Sequence, residues 1–72
     1  MTQREADVLK VIETRPDIPT YVIRNILARE KGHGIGLKTG HVLYSCKRLE
    51  AAGRIVRTHT SSNSACWRLA EQ

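Results

Sequence analysis

The amino-acid sequence predicts one small α+β domain, residues 1–72, in which three helices are followed by a two-stranded β-hairpin. Apolar residues recur at helical spacing in three segments. Gly53 stops the third segment, and alternating apolar residues on either side of a polar turn follow over residues 54–69. Because 40% of the 72 residues are hydrophobic, the chain can bury the core that one small domain needs.

The first helix is predicted over about residues 3–14. It begins with a capping box, in which the Thr2 hydroxyl accepts from the Glu5 amide and the Glu5 side chain reaches back to the Thr2 backbone. Pro16 ends the helix, because proline disfavours helical geometry in the residue before it. Three apolar residues form the predicted core face and a fourth lies at its edge: Val8, Leu9, Ile12 and, at the edge, Val11.

A short extended segment and a second helix follow. Ile18 and Pro19 are expected to form a stub strand that pairs with the later hairpin. Thr20 is the predicted N-cap of the second helix, which covers about residues 20–31. Its predicted buried stripe consists of Val22, Ile23, Ile26 and Leu27.

The segment before the third helix, residues 32–38, is predicted to be a loop. Three alternating glycines within it cannot hold a helix cheaply. Ile35 and Leu37 are expected to reach from this loop into the core. Thr39 is the predicted cap of the third helix, which covers about residues 39–52.

The third helix has two chemically different faces. Val42, Cys46 and Leu49 form one apolar stripe by the i, i+4, i+7 rule. The residues expected to point largely the other way are polar and mostly basic: His41, Tyr44, Ser45, Lys47 and Arg48. One helix therefore offers an apolar face to a core and a basic, hydrogen-bonding face to a partner.

The hairpin is predicted over residues 54–69, with Ile55 on its outgoing strand. The polar turn at residues 58–64 is rich in small side chains, which suits contact with a phosphate backbone. Trp67 is expected to lie in the core and not to serve as a stacking platform. The alternating residues of the return strand are Ala65, Trp67 and Leu69.

The net charge of +5 is unevenly distributed along the chain. Residues 1–23 hold three basic and four acidic side chains, whereas residues 24–68 hold nine basic and two acidic ones. A polyanion would therefore be expected to meet the second part of the chain. A basic surface with no partner is the alternative interpretation of this charge.

Several other classes of protein are disfavoured by the sequence. The cysteines Cys46 and Cys66 lack the short spacing of zinc ligands and are expected to be reduced thiols without a metal. No apolar run suggests a membrane span, and the start of the chain is polar, so a cytoplasmic protein is expected. The glycine pattern matches no nucleotide-binding loop, and no nucleophile–base set is present. We therefore expect no enzyme and no cofactor.

The junction after the third helix carries a family resemblance. Residues 49–56, Leu-Glu-Ala-Ala-Gly-Arg-Ile-Val, resemble the L-E-x-x-G-x-[IV]-V junction of winged helix-turn-helix regulators of the MarR and PadR type. The first helix, residues 3–12, and the last strand, residues 67–69, are similar to the corresponding segments of that family. As an architecture the resemblance covers about residues 2–70. The connection between helices 2 and 3 departs from the family, because it is longer and richer in glycine.

The resemblance implies a winged helix that binds double-stranded DNA, with helix 3 in the major groove and the hairpin as the wing. A small phage-type or bacterial accessory regulator of transcription is the expected analogue. No extra terminal helices for dimerisation are expected, so a monomer or weak homodimer follows. The residues expected at the DNA are Lys38, Thr39, His41, Tyr44, Ser45, Lys47, Arg48, Arg57, His59, Ser61, Ser62 and Asn63.

Two alternatives remain open from the sequence. Arg48 is the expected reader of guanine, whose N7 and O6 match its planar fork. It could instead be only a surface ion-pair partner, although its own helix has no acidic residue three or four positions away. In the second alternative, the winged helix binds an acidic protein in place of DNA.

Overall fold

The structure, a computed structural model, describes residues 1–30, 36–61 and 64–71. Within these residues it confirms an α+β arrangement of three helices and a three-stranded antiparallel sheet, which is compatible with a winged helix. The hairpin's return strand lies in the middle of the sheet, because the strand order is β1-β3-β2. The elements are α1 (Gln3–Thr14), β1 (Ile18–Pro19), α2 (Thr20–Glu30), α3 (Thr39–Ala51), β2 (Ile55–Ser61) and β3 (Ser64–Leu69).

The start of α1 is the predicted capping box. The Glu5 amide donates to Thr2 Oγ1 at 3.1 Å, and the Thr2 amide donates to Glu5 Oε1 at 3.1 Å. At the other end, the Arg15 amide still donates to the Val11 carbonyl at 3.0 Å, and the helix stops before Pro16. Asp17 then adopts a φ of 62°, and this reversal directs the chain into β1.

The stub strand pairs with the centre of the sheet, as the sequence predicts: Ile18 lies opposite Trp67, and Pro19 opposite Cys66. The prediction that Thr20 caps α2 is wrong. Thr20 is the first residue of the helix, and its buried hydroxyl donates to the Ala65 carbonyl at 2.8 Å. The same hydroxyl accepts from Trp67 Nε1 at 2.8 Å. A buried indole N–H needs an acceptor, and Thr20 supplies it.

A hydrogen bond from α2 holds the segment that leads into α3. Leu37 is buried, as expected, and its carbonyl accepts from Arg24 Nε at 2.9 Å. The prediction that Thr39 caps α3 is wrong by one position, because Lys38 occupies the N-cap and its amide donates to His41 Nδ1 at 3.3 Å. The predicted core position of residue 35 and the predicted helix end at residue 31 lie outside the described residues.

Gly53 ends α3 in the way the sequence predicts. Its φ of 75° lies in the left-handed region, where a residue without Cβ is favoured. The Gly53 amide donates to the Glu50 carbonyl at 2.9 Å, and the Arg54 amide donates to the Leu49 carbonyl at 2.9 Å. These two bonds form a Schellman motif, which satisfies the last carbonyls of the helix and turns the chain into β2.

The hairpin pairs Ile55 with Leu69 and Arg57 with Trp67, and an irregularity between Arg57 and Thr60 shifts the register toward the tip. Its base therefore continues directly from the end of α3 and lies against the helices. The central strand β3 brings Trp67 into the core, where its side chain is fully buried, as the sequence predicts.

The core lies between the helices and the inner face of the sheet. The predicted stripe of α3 is buried, but on α1 the prediction is reversed at two positions, because Val11 is buried and Leu9 only partly so. Cys46 and Cys66 are buried free thiols. Among the described residues, no helix has the length and apolarity to cross a membrane. The principal core side chains are Val8, Val11, Ile12, Ile18, Ile23, Leu27, Leu37, Val42, Cys46, Leu49, Ile55 and Trp67.

Candidate nucleic-acid interface

The outward side of α3 is exposed over its whole length. Tyr44 has 64% of its surface exposed, although it is one of the larger apolar side chains of the protein. At Gly40 an added Cβ would meet no atom of the described residues within 4 Å, so the space beside this first-turn position is open there. Six exposed residues of α3 and its N-cap form what we call the basic face: Lys38, Thr39, His41, Tyr44, Lys47 and Arg48; the exposed Glu50, near the end of the helix, is not part of it.

Ser45 does not belong to the basic face, contrary to the prediction from the sequence. Its side chain is buried, and Oγ donates to the His41 carbonyl one turn earlier at 3.3 Å. On the helix Ser45 lies between the stripe residue Leu49 and the outward residue His41, at the edge that faces the start of α1 across a shared cleft. A buried hydroxyl that bonds its own helix cannot reach a partner.

Arg48 is held by an acidic residue of a different helix. Its Nε donates to Glu5 Oε2 at 2.6 Å, and the ion pair joins the first turn of α1 to the last turn of α3. The Glu5 side chain is 7% exposed and that of Arg48 is 57% exposed. The ion-pair alternative for Arg48 is therefore correct in part: the side chain is paired, yet more than half of it still faces solvent.

The pair changes the electrostatics of both groups. The hydrogen bond from Arg48, helped by the Thr2 amide, holds the pKa of Glu5 below its ordinary value. In return, the hydrogen bond to Glu5 raises the pKa of Arg48, and Tyr44 contributes in the same direction. The carboxylate is thus ionised at neutral pH, and it offsets one positive charge of the basic face.

Tyr44 is part of the same arrangement. The guanidinium carbon of Arg48 lies 5.9 Å from the centroid of the Tyr44 ring, within the range of a cation–π contact. Arg48 therefore has two partners, the Glu5 carboxylate and the Tyr44 ring. The aromatic ring thus lies beside Arg48 on the outside of α3 and is not buried in the core.

On the hairpin, only part of the predicted site can be placed. Arg57 is exposed, and its guanidinium carbon lies 5.3 Å from the ring centroid of the buried Trp67, so it covers the core as well as facing solvent. His59 is exposed, and its Nδ1 lies 3.3 Å from the Thr58 hydroxyl. The side chain of Ser61 and the predicted tip residues Ser62 and Asn63 lie outside the described residues.

The sequence reasoning missed a second arginine beside the basic face. Arg4, in the first turn of α1, lines a cleft that Tyr44 and Arg48 line from the α3 side. The capping box contained the signal, because it fixes which turn of α1 holds Glu5 and therefore where its neighbour Arg4 lies. Which helix packs against that turn cannot be inferred from local pattern alone.

The described residues provide little for metal or thiol chemistry. They contain no group of three histidine, cysteine or carboxylate side chains able to hold a metal ion. Burial raises the pKa of the Cys46 thiol to about 12, and Glu50 adds to the effect, so this thiol stays protonated.

A scan of protein-family models and a search of curated proteins gave no match to the chain. The interpretation of the basic face therefore depends on the chain's own geometry.

Proposed function

We propose that this protein is a winged-helix DNA-binding protein that acts as a small regulator of transcription. In this proposal α3 enters the major groove, and the hairpin rests on the neighbouring backbone or minor groove. The observation that carries the proposal is the basic face. Lys38 lies at one end of it and Lys47 and Arg48 at the other, with His41 and Tyr44 exposed between them.

The dimensions of α3 suit this role. It has 13 residues, which corresponds to about 20 Å of helix, and the major groove is about 12 Å wide. The stripe of Val42, Cys46 and Leu49 fixes the inner side of the helix to the core. The opposite side is then presented to a duplex without any rearrangement of the fold.

The chemistry of the face divides between positioning and reading. Lys38 and Lys47 supply charge for phosphates on either side of the groove, as Lys does when it acts as a point charge. His41 and Tyr44 lie between them and can donate or accept at base edges. Arg48 reads from a fixed position, because Glu5 holds its Nε while 57% of the side chain stays exposed.

The salt dependence of duplex binding tests the proposal. A labelled duplex of random sequence is titrated with the protein, and anisotropy gives the affinity at a series of salt concentrations. Phosphate contacts make log K fall linearly with log salt, with a slope of about −0.9 for each phosphate neutralised. Lys47→Gln is expected to make that slope shallower by about 0.9.

Arg15→Gln is the matched control, because it removes the same charge from the exposed C-terminal end of α1. We expect it to leave the slope as in the wild type. Absence of binding at low salt would refute the DNA proposal. Equal effects of the two substitutions would show that α3 is not the contact surface.

A second candidate is an acidic protein surface as the partner. The exposed Tyr44 beside Arg48 favours it, since Tyr and Arg are the residue types that most often anchor protein interfaces. In that case the wild type would fail to bind duplex at low salt. The same titration therefore separates the two candidates.

A further inference from the structure

We infer that the DNA interface extends from α3 onto the first turn of α1, where Arg4 binds a backbone phosphate of the duplex. The inference rests on the proposed function and adds a contact that neither the sequence pattern nor the basic face contains. Its basis is a cleft between the two helices, which we call the α1–α3 cleft. It is lined by Thr2, Arg4, Glu5, Tyr44, Ser45 and Arg48.

The position of the cleft makes it continuous with the basic face. Tyr44 belongs to both, and its exposed ring forms the border between them. A duplex whose major groove holds α3 must carry one of its strands along the side of that helix. The strand that passes Tyr44 brings its phosphates to the mouth of the cleft.

The charges in the cleft favour an anion. Its carboxylate, Glu5, is already committed through both oxygens, one to the Thr2 amide at 3.1 Å and one to Arg48 Nε at 2.6 Å. Glu5 therefore compensates Arg48 and caps the helix. Arg4 adds a second positive charge to the same cleft, next to the positive end of the α1 dipole.

The hydrogen-bonding state of Arg4 supports the same assignment. Its Nε is buried and has no hydrogen-bond partner among the described residues. Buried donors are normally paired, so this one is an exception that calls for an acceptor. Arg4 lines the cleft, and the oxygens of a phosphate bound there would match the planar fork of its guanidinium.

Two substitutions on α1 with equal loss of charge test the inference. Arg4→Gln removes the proposed contact. Lys10→Gln removes one charge from a different groove, between α1 and α2, which Lys10 lines together with Val11 and Ile26. Both variants have the same net charge, so a general electrostatic effect changes both equally. Arg4→Lys keeps the charge without the fork and serves as a third variant. Circular dichroism melting verifies that each variant is folded.

Binding to random duplex DNA is measured by anisotropy over a salt series for all four proteins. The inference predicts that Arg4→Gln makes the slope of log K against log salt shallower by about 0.9, while Lys10→Gln keeps the wild-type slope. Arg4→Lys is expected to keep the slope. Because the contact is to the backbone, the loss should be the same on duplexes of different sequence.

The outcomes separate the two proposals. If the wild type binds and Arg4→Gln matches Lys10→Gln in slope, the α1 contact is overturned and the DNA function stands. If the wild type does not bind duplex even at low salt, both are overturned. A shallower slope for Arg4→Gln alone supports both.

Discussion

Replacing Thr20 by valine should destabilise the protein far more than a change of one methyl for one hydroxyl suggests. The Thr20 hydroxyl accepts from Trp67 Nε1 and donates to the Ala65 carbonyl, both at 2.8 Å. Thr20 and Trp67 are both buried. Valine keeps the shape of threonine but leaves the buried indole N–H without its acceptor and the partly buried Ala65 carbonyl without this donor.

The magnitude follows from the two groups left unsatisfied. Each buried polar group without a partner costs about 1–3 kcal/mol, and the added apolar surface offsets part of this. We therefore expect a net loss of about 2–4 kcal/mol in the free energy of unfolding. A domain of this size has a total stability of roughly 4–11 kcal/mol, and its melting temperature should fall by about 10–30 °C.

Urea unfolding followed by far-UV circular dichroism measures the loss. Thr14→Val is the matched control, because Thr14 is exposed and its hydroxyl bonds carbonyls within its own helix; we expect a change of about 0.5 kcal/mol or less. In a Trp67→Phe background the indole N–H is absent, so Thr20→Val should cost about 1 kcal/mol less there. A change in Thr20→Val no larger than in the control, or strict additivity with Trp67→Phe, would refute the reasoning.

Three further results are expected. Gly53→Ala should lower the free energy of unfolding by about 1–2 kcal/mol through backbone strain alone, since the space around Gly53 is open. Gly40→Ala is the control, because Gly40 has equally open space but helical geometry; it should not lower the free energy of unfolding. The urea midpoints of the two variants are compared. Because the pKa of Glu5 is lowered in the folded protein, its contribution to stability is present above its unfolded-state pKa and is lost as the pH falls through the lowered value. Glu5→Gln should therefore flatten the acid side of a plot of urea midpoint against pH. Cys46, with its pKa raised to about 12, should react with a disulfide reagent at mildly alkaline pH only after denaturant is added, and rapid reaction of that thiol in the folded protein would contradict its burial.

What the sequence predicted correctly is governed by local rules. The capping box of Thr2 and Glu5 and the stop at Gly53 each involve residues within five positions of one another, so pattern alone identifies them. The helical periods likewise identify the stripe of α3, because burial of that stripe is the main source of its stability. The element types therefore followed from the sequence.

The shift of the α3 cap from Thr39 to Lys38 is a local error of one position, whereas the larger discrepancies concern contacts between distant segments. The sequence predicts a cap at Thr20 because threonine is a common cap residue. In the structure the Thr20 hydroxyl instead accepts a hydrogen bond from the buried indole of Trp67, 47 positions later. Arg48 has no acidic residue three or four positions away on its own helix, yet Glu5, 43 positions earlier, pairs with it. Such pairings depend on which surfaces meet in the folded chain, and periodicity within one helix carries no information about them.

Glu5 connects the stability of the fold to the strength of the candidate interface. One of its oxygens caps α1 and the other neutralises Arg48 on α3, so the carboxylate stabilises both helices while it reduces the positive charge that a phosphate would meet. These two effects have opposite signs for a protein that binds a polyanion. A chain selected for charge alone would not keep an acidic residue there. Its presence is consistent with a site in which the direction of the Arg48 side chain matters more than one additional unit of charge, because a fixed donor can distinguish between acceptors and a mobile cation cannot.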